Sequence, residues 1–258
     1  MVIGLYDGVT IVVPTYNERE NIRVLIPMIS KILHSSKISS YEILVVDDNS
    51  PDGTWLEAEK LGKKYPVRVL RRVNRRGLAS AILEGIANAY YDNVIVMDAD
   101  LQHPPAILPD IIHALSRSDI VIASRYRGGR IEKWSFMRRM MSFTAMFLAK
   151  LLIPKIRRIG DPLSGFFGIK KTILRGVRLR ALGFKVLLEI LSKAEYGTIE
   201  EVPYEFSRRR YGSSKLGLKV IRDYIKHVIR ISAEIGALSK IMMCVLAIIV
   251  FLFILLLP

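Results

Sequence analysis

Short apolar runs alternate with amphipathic stretches along the first half of the chain. The apolar runs are rich in Val and Ile, as β-strands are, and lie at residues 10–13, 42–47, 67–70, 94–97 and 120–123. Between them, apolar residues recur at helical spacing over residues 20–33, 54–65, 79–91 and 106–115. This alternation predicts an α/β fold, with a mainly parallel sheet and helices on both of its faces.

The second half predicts two amphipathic helices, over residues 134–152 and 219–232. The first is rich in Met and Phe, and is either an ordinary core helix or a helix that lies in the plane of a membrane interface. Residues 241–257 are seventeen consecutive apolar residues, which is the short end of a membrane span. We therefore expect a folded domain over 1–232, with interface helices near 131–153 and 216–232. A transmembrane segment over 233–258 follows, and we expect the natural chain to continue into further spans.

The formal charge of +15 on 258 residues comes from two segments. Residues 125–160 carry ten Lys or Arg against one Glu, and residues 206–240 carry nine against two acids. Such basic patches suit nucleic acid, an anionic membrane or phosphorylated substrates. The apolar run and the acidic motifs described below argue against nucleic acid. With no signal peptide at the N-terminus and basic residues before the span, we expect an integral membrane protein whose folded domain lies on the cytoplasmic face.

The most informative motif is Asp98-Ala99-Asp100-Leu101-Gln102-His103-Pro104-Pro105, which follows a predicted strand. Two carboxylates one residue apart are costly at a strand end unless a positive charge offsets them. Mg²⁺ or Mn²⁺ does so, because it prefers oxygen ligands and keeps positions open for phosphate oxygens. Gln102, the only glutamine of the chain, adds an amide oxygen. The alternative is a turn with two solvated acids.

Two further polar clusters follow the first two predicted strands, where ligands of parallel sheets bind. In residues 14–18, either backbone amides face an anion and Tyr16 stacks on a base, or Thr15 or Asn17 caps a helix. In residues 47–54, either an Asp accepts hydrogen bonds from a nucleoside, or Asp52-Gly53 forms an Asx-turn. No histidine is paired with an acid as a catalytic base, and for His103 we expect a role in turn structure.

Five motifs in this order resemble the family 2 glycosyltransferases, which have the GT-A nucleotide-sugar fold. They lie at residues 14–18, 47–54, 98–105, 124–126 and 209–216, so the resemblance covers roughly residues 9–232. Within the family, the chain is similar to dolichol-phosphate mannose synthases and polyprenyl-phosphate hexosyltransferases. The resemblance implies inverting transfer of mannose from GDP-mannose to dolichyl (polyprenyl) phosphate, which gives dolichyl β-D-mannosyl phosphate, with Mg²⁺ or Mn²⁺ as cofactor. UDP-glucose and a polyprenyl phosphate are the alternative pair, because no residue separates guanine from uracil.

The resemblance also implies the site residues. The residues that would line the nucleoside pocket are Pro14, Tyr16, Glu18, Val46 and Asp48. Asp98 and Ala99 would border the ribose and diphosphate, and Asp100 and Gln102 would hold the metal beside Asp98. The cations that would approach the phosphates of donor or acceptor are Arg125, Arg209 and Lys215, with Arg138 and Arg139 on the acceptor side. The residues that would act at the reacting centre are Asp98, Asp100 and Arg125. A run of solvated charge is the alternative for residues 208–210.

Two other classes of protein fit the sequence less well. A processive polysaccharide synthase would resemble enzymes with a Gln-x-x-Arg-Trp signature, but the only glutamine here lies in the metal motif. A non-catalytic scaffold would tolerate loss of an acid from that motif, and both acids are present. The acceptor phosphate is already anionic at pH 7, so the absence of a general base agrees with sugar transfer to a lipid phosphate.

Overall fold

A seven-stranded sheet forms the centre of this computed structural model, which describes residues 8–131, 136–180, 185–206 and 218–237. Its strands are β1 (Val9–Thr15), β2 (Tyr41–Asp47), β3 (Val67–Arg71), β4 (Asn93–Val96), β5 (Ile120–Ser124), β7 (Phe167–Lys170) and β8 (Ile199–Pro203). Two short strands, β6 (Arg130–Ile131) and β9 (Glu205–Phe206), pair separately. The order in the large sheet is β3-β2-β1-β4-β7-β5-β8, and β7 alone of these seven is antiparallel to its neighbours.

Seven helices cover the sheet within the described residues. They are α1 (Arg19–Ser35), α2 (Thr54–Gly62), α3 (Leu78–Asn88), α4 (Leu108–Leu115), α5 (Phe136–Leu152), α6 (Val186–Lys193) and α7 (Leu218–Glu234). Short 3₁₀ turns lie at Pro105–Ile107, Pro154–Ile156 and Lys171–Leu174. Successive strand residues point to opposite faces, so Ile11 and Val13 pack with α1, α2 and α4, whereas Val12 packs with α3 and α5–α7. The core therefore has one layer on each face of the sheet.

The predicted alternation of five strands and four helices is confirmed, with different ends for some helices. The fourth predicted helix starts at Leu108 rather than at 106, because Pro104 takes an extended conformation and a 3₁₀ turn follows it. Strands β7 and β8 and helix α6 were not predicted. Strand β7 has four residues and includes Gly168, whose missing β-carbon leaves room for Leu115. A short strand with an internal glycine gives little signal in a sequence.

The two amphipathic helices of the second half are present as α5 and α7, which lie side by side. The Tyr224 hydroxyl of α7 donates to the carbonyl of Ala145 (2.6 Å), and the Ser232 hydroxyl donates to that of Leu152 (2.7 Å). Across the part of the chain that the structure describes, no helix has the length and apolar character to span a membrane. The predicted span over 241–257 lies outside the described residues.

Candidate active site

Three strand-end loops meet at one edge of the sheet, because β2, β1 and β4 are parallel neighbours. Each loop holds one residue other than glycine with left-handed backbone: Asn17 (φ 60°), Asn49 (φ 54°) and Leu101 (φ 62°). Asparagine tolerates this conformation, but leucine rarely adopts it. The strain at Leu101 is of order 1–3 kcal/mol, and such strain is typical of functional sites. Leu101 lies inside the predicted metal motif.

The metal motif folds into a compact turn at the end of β4. Asp100 and Gln102 are buried, whereas the side chain of Asp98 is 38% exposed. The backbone N–H of Gln102 donates to Asp100 Oδ1 (3.1 Å), and the N–H of Asp98 donates to His103 Nδ1 (3.0 Å). Because Nδ1 accepts a hydrogen bond, the His103 ring is neutral, and burial lowers its pKa further. The structure thus gives His103 the predicted role in the turn.

The oxygen atoms of this turn fit a magnesium or manganese ion. Among the described residues, no three His, Cys, Asp or Glu side chains form a cluster that would hold a metal alone. The turn offers two carboxylates and one amide, from Asp98, Asp100 and Gln102. A hard cation bound by so few protein ligands keeps coordination positions for phosphate oxygens, as magnesium commonly does in nucleotide sites. The residues present therefore suit a metal that is bound together with a diphosphate.

Asp48, at the end of β2, is held by a buried arginine. Arg72 Nη1 donates to Asp48 Oδ1 (2.6 Å), and the N–H of Gly77 donates to Oδ2 (2.7 Å). Arg72 also donates to Glu84 (3.1 Å), so the arginine lies between two carboxylates. A carboxylate has about four acceptor sites. Asp48 therefore keeps acceptor capacity for a ligand while Arg72 fixes its position.

The other predicted nucleoside residues lie beside Asp48. Pro14 and Val46 are buried register partners on β1 and β2, two residues before Tyr16 and Asp48 respectively. Tyr16 follows β1 and is half-buried, with the Arg76 guanidinium 5.2 Å from its ring centre. Glu18 accepts a short hydrogen bond from Asn21 in the first turn of α1. The structure thus brings the predicted nucleoside residues to one edge of the sheet, next to the metal motif.

The remaining acids of the second cluster bind backbone groups and hydroxyls. Asp47 accepts hydrogen bonds from the Thr15 and Ser50 side chains. The alternative of a helix cap by Thr15 or Asn17 is wrong: the cap residue of α1 is Glu18, whose side chain makes no capping bond. Instead, Asp52 Oδ2 accepts from the N–H of Arg19 (3.1 Å). Asp52 Oδ1 also accepts from the N–H of Thr54 (3.0 Å), which is the Asx-turn given as the alternative for residues 47–54.

Arg125, at the end of β5, forms a buried ion pair with Asp161. Arg125 Nε and Nη2 donate to the two carboxylate oxygens at 2.7 and 2.8 Å, and the Arg125 N–H donates to Oδ2 at 3.1 Å. Both side chains are at least nine-tenths buried. The pair raises the pKa of Arg125 despite its burial. Arg125 is thus fixed in direction by an acid that the sequence analysis missed.

The predicted acceptor-side cations are described only in part. Arg139 is exposed in the first turn of α5. The side chain of Arg138 lies outside what the structure describes, as do Arg209 and Lys215 entirely. Helix α5 reaches the site through the Ser142 hydroxyl, which is 2.8 Å from the hydroxyl of Tyr126, the residue after Arg125. Ser142 of α5 therefore faces the end of β5.

Comparisons with known proteins agree with this arrangement. Residues 10–178 match the sequence profile of glycosyl transferase family 2. The chain is 46% identical over 235 residues to a dolichol-phosphate mannosyltransferase of Pyrococcus furiosus; the match covers 90% of this chain and 66% of that protein, so this chain spans just under two thirds of its length. It is 37% identical over 230 residues to a dolichol-phosphate mannosyltransferase of Saccharomyces cerevisiae, with 85% of each chain covered.

A solved structure supports the fold. It is glucosyl-3-phosphoglycerate synthase from Mycobacterium tuberculosis, in complex with Mn²⁺, UDP-glucose and phosphoglyceric acid. The TM-score is 0.66 at 22% sequence identity, and the match covers 89% of this chain and 79% of that one. At this identity the likeness concerns the fold alone, an α/β arrangement with a mostly parallel sheet.

Proposed function

Because the chain belongs to glycosyl transferase family 2, we propose that it transfers mannose from GDP-mannose to dolichyl or another polyprenyl phosphate. The product is the β-linked mannosyl lipid, formed with inversion. The observation that carries the proposal is the shared sheet edge, where Asp48 and the metal motif lie on either side of the loop after β1. Two relatives that match at least 85% of this chain are dolichol-phosphate mannosyltransferases, which supports mannose as the sugar and dolichyl phosphate as the acceptor.

On the donor side, side chains of the edge bind and orient the nucleotide. Asp48, held by Arg72, accepts hydrogen bonds from the nucleoside, and Tyr16 stacks beside it. Asp98 and Ala99 border the ribose and diphosphate. Asp100 and Gln102, with Asp98, would hold Mg²⁺ or Mn²⁺, which supplies charge stabilisation for the leaving diphosphate. The structure of similar fold contains Mn²⁺, which supports a divalent cation as the cofactor.

On the acceptor side, the lipid phosphate is itself the nucleophile and needs cations rather than a base. The pair with Asp161 aims the Arg125 guanidinium, and the amphipathic helix α5, which carries Arg139 in its first turn, contacts Tyr126 through Ser142. His103 accepts a backbone hydrogen bond and is neutral, so it holds no proton on Nδ1 to give or exchange. We assign Arg138, Arg209 and Lys215 to the acceptor and donor phosphates by their motifs alone.

We further propose that the α5–α7 face lies on a membrane. On α5, Phe136 is 75% exposed and Phe143 and Phe147 are each 59% exposed. On α7, exposed Ile221, Ile225 and Ile229 alternate with exposed cations. A large apolar face beside Lys and Arg is typical of helices at an anionic lipid surface. A folded domain over 1–232 on the cytoplasmic face, a span over 233–258 and further spans complete this proposal.

UDP-glucose with a polyprenyl phosphate is the second candidate pair. The observation that favours it is the UDP-glucose in the structure of similar fold. Asp48 accepts hydrogen bonds from either base, since guanine and uracil both present N–H donors. The two candidates therefore differ in the donor and share the site.

A transfer assay separates the candidates. Membranes that contain the chain are incubated with labelled GDP-mannose or UDP-glucose, a polyprenyl phosphate, and Mg²⁺ or Mn²⁺. We expect labelled lipid from GDP-mannose, none in the presence of a chelator, and none in membranes without the chain. Labelled lipid from UDP-glucose alone would replace the first candidate by the second, and labelled lipid from neither donor would refute both.

A further inference from the structure

The antiparallel strand β7 places a chain segment between the C-terminal ends of β4 and β5. Its register pairs Phe167 with Val96 on β4 and with Ile122 on β5. Because β7 runs opposite to both neighbours, it starts at the edge where they end. The segment of residues 160–166, which leads into β7, therefore lies between the metal motif after β4 and Arg125 after β5.

Both ends of this segment touch the predicted reacting centre. At one end, Asp161 binds the Arg125 guanidinium through both carboxylate oxygens. At the other, Gly165 lies against Asp98: a β-carbon on Gly165 would be 3.3 Å from Asp98 Oδ2. The Ser164 hydroxyl donates to the carbonyl of Ala123 (2.8 Å) and ties the middle to β5. A shift of this segment would therefore move Arg125 through Asp161 and at the same time change the contact of Gly165 with Asp98.

Lys185 fastens the segment from outside. This residue immediately precedes α6, and its Nζ donates to the carbonyl of Leu163 at 2.7 Å. Burial lowers the pKa of Lys185 to about 8, with a further contribution from the charge of Arg125, whereas the charges of Asp161 and Asp98 oppose the shift. Burial of an ammonium group is costly in free energy unless hydrogen bonds or opposite charges replace its contacts with water. The hydrogen bond to the Leu163 carbonyl is one such contact.

Lys185 also connects the segment to the proposed membrane-facing helices. Burial lowers the pKa of His227 on α7, whereas the charge of Glu189 and the backbone of Lys185 oppose the shift, so His227 lies near Lys185. Helix α7 in turn packs on α5, as the Tyr224 and Ser232 hydrogen bonds show. Helix α7 therefore lies beside the backbone of Lys185, while the Lys185 side chain binds the segment beside the metal motif.

We propose that Lys185 is a positioning residue for the sugar transfer. Its ammonium holds the Leu163 carbonyl, and the segment thereby keeps Arg125 aimed through Asp161 and keeps Asp98 in place beside Gly165. The proposal rests on the proposed function, because the reaction that the residue serves is that transfer. Neither the sequence motifs nor the family resemblance singled out Lys185, which lies outside all five motifs.

The test compares Lys185→Met with Lys171→Met in the full chain. Lys171 is a matched control, because its Nζ also donates to a backbone carbonyl, that of Ala89 at 2.8 Å, away from the site. We expect Lys185→Met to lower kcat by about 10–100-fold while the donor KM stays within about threefold, since a small misplacement of reacting groups costs rate rather than affinity. Lys171→Met keeps the wild-type kcat.

A second measurement is independent of activity. Hydrogen exchange at the amides of Ser164 and Phe166, which bond within the segment, speeds up in Lys185→Met and not in Lys171→Met. If the wild-type chain transferred no sugar, the proposed function would fail, and the exchange data alone would decide whether Lys185 fixes the segment. Unchanged exchange in Lys185→Met, or a kcat within twofold of wild type, would overturn the proposal.

A double variant guards against a general loss of folding. Gly165→Ala perturbs the same segment from its other end and leaves the Lys185 bond intact. If both residues act through the segment, Lys185→Met combined with Gly165→Ala lowers kcat little more than the stronger single change, because coupled sites are non-additive. Fully additive losses would show that Lys185 acts by another route and would contradict the proposal.

Discussion

Replacement of Asp161 by Asn tests the buried ion pair that aims Arg125. The substitution keeps the size of the side chain but removes its charge, and it sets an amide N–H₂ against a guanidinium donor. Arg125 is 9% exposed and Asp161 is 1% exposed at the side chain, so water does not replace the lost partner. Removal of one partner from a buried pair costs about 3–5 kcal/mol in the free energy of unfolding.

This cost is large enough to measure by urea unfolding. With an m value of about 2 kcal/mol per M of urea, a loss of about 4 kcal/mol lowers the unfolding midpoint by about 2 M. The assay follows unfolding of the full chain in detergent by circular dichroism, and sugar transfer is measured on the same samples below the transition. We expect transfer to fall as well, because the Arg125 guanidinium is no longer aimed.

Glu200→Gln is the matched control. Glu200 also accepts two hydrogen bonds from one arginine, Arg117, but that arginine is 51% exposed. An exposed pair contributes about 0–1 kcal/mol. If Asp161→Asn cost no more than Glu200→Gln and left transfer unchanged, the reasoning about burial and about the aim of Arg125 would be refuted.

Three further predictions concern other parts of the molecule. Asp52→Ala removes the acceptor for the first N–H of α1 and for the N–H of Thr54, so the free energy of unfolding falls by about 1–2 kcal/mol in urea titrations. Replacement of the exposed Asp92 by Ala is the control, and an equal loss of unfolding free energy in both variants would contradict the capping role of Asp52. The pKa of Lys185 is lowered from 10.5 to about 8. Between pH 8 and pH 10.5 the unfolded chain binds more protons than the folded one, so the free energy of unfolding of wild type relative to Lys185→Met rises with pH. If this difference in unfolding free energy stayed flat or fell with pH, a buried ammonium would be contradicted. In a Cys244→Ser background, the emission of a fluorescent dye on Phe143→Cys shifts to the blue when anionic vesicles are added, whereas the emission of a dye on Val73→Cys, also at an exposed position, does not. An unshifted emission at position 143 would contradict the proposed membrane face.

The parallel half of the fold was predictable because it depends on local periodicity. Strands β1, β2, β4 and β5 are continuous apolar runs, and the helices between them have clear apolar stripes. Order along the chain then places the polar clusters at one edge, since parallel strands joined by helices end on the same side. The loops with Tyr16, Asp48 and Asp98 were therefore found together from sequence alone.

The contacts that fix the site were not predictable, because they join distant positions. Asp161 and Arg125 are 36 residues apart, and Arg72 and Asp48 are 24 apart. No spacing rule links such pairs, and β7, which places residues 160–166 at the edge, is too short to be recognised. The cap of α1 was missed for the same reason, since its acceptor comes from Asp52, 33 positions beyond Arg19.

The central claim is that the turn after β4 binds the donor with a divalent cation and that sugar transfer occurs there. The most direct measurement is metal-dependent transfer of mannose to a polyprenyl phosphate by wild type, Asp100→Asn and Asp92→Asn. Asp92 directly precedes β4, at the opposite end of the strand from Asp100, and is 67% exposed at the side chain. We expect Asp100→Asn to lose at least about 100-fold in kcat and Asp92→Asn to match wild type. Full metal-dependent transfer by Asp100→Asn would contradict the account.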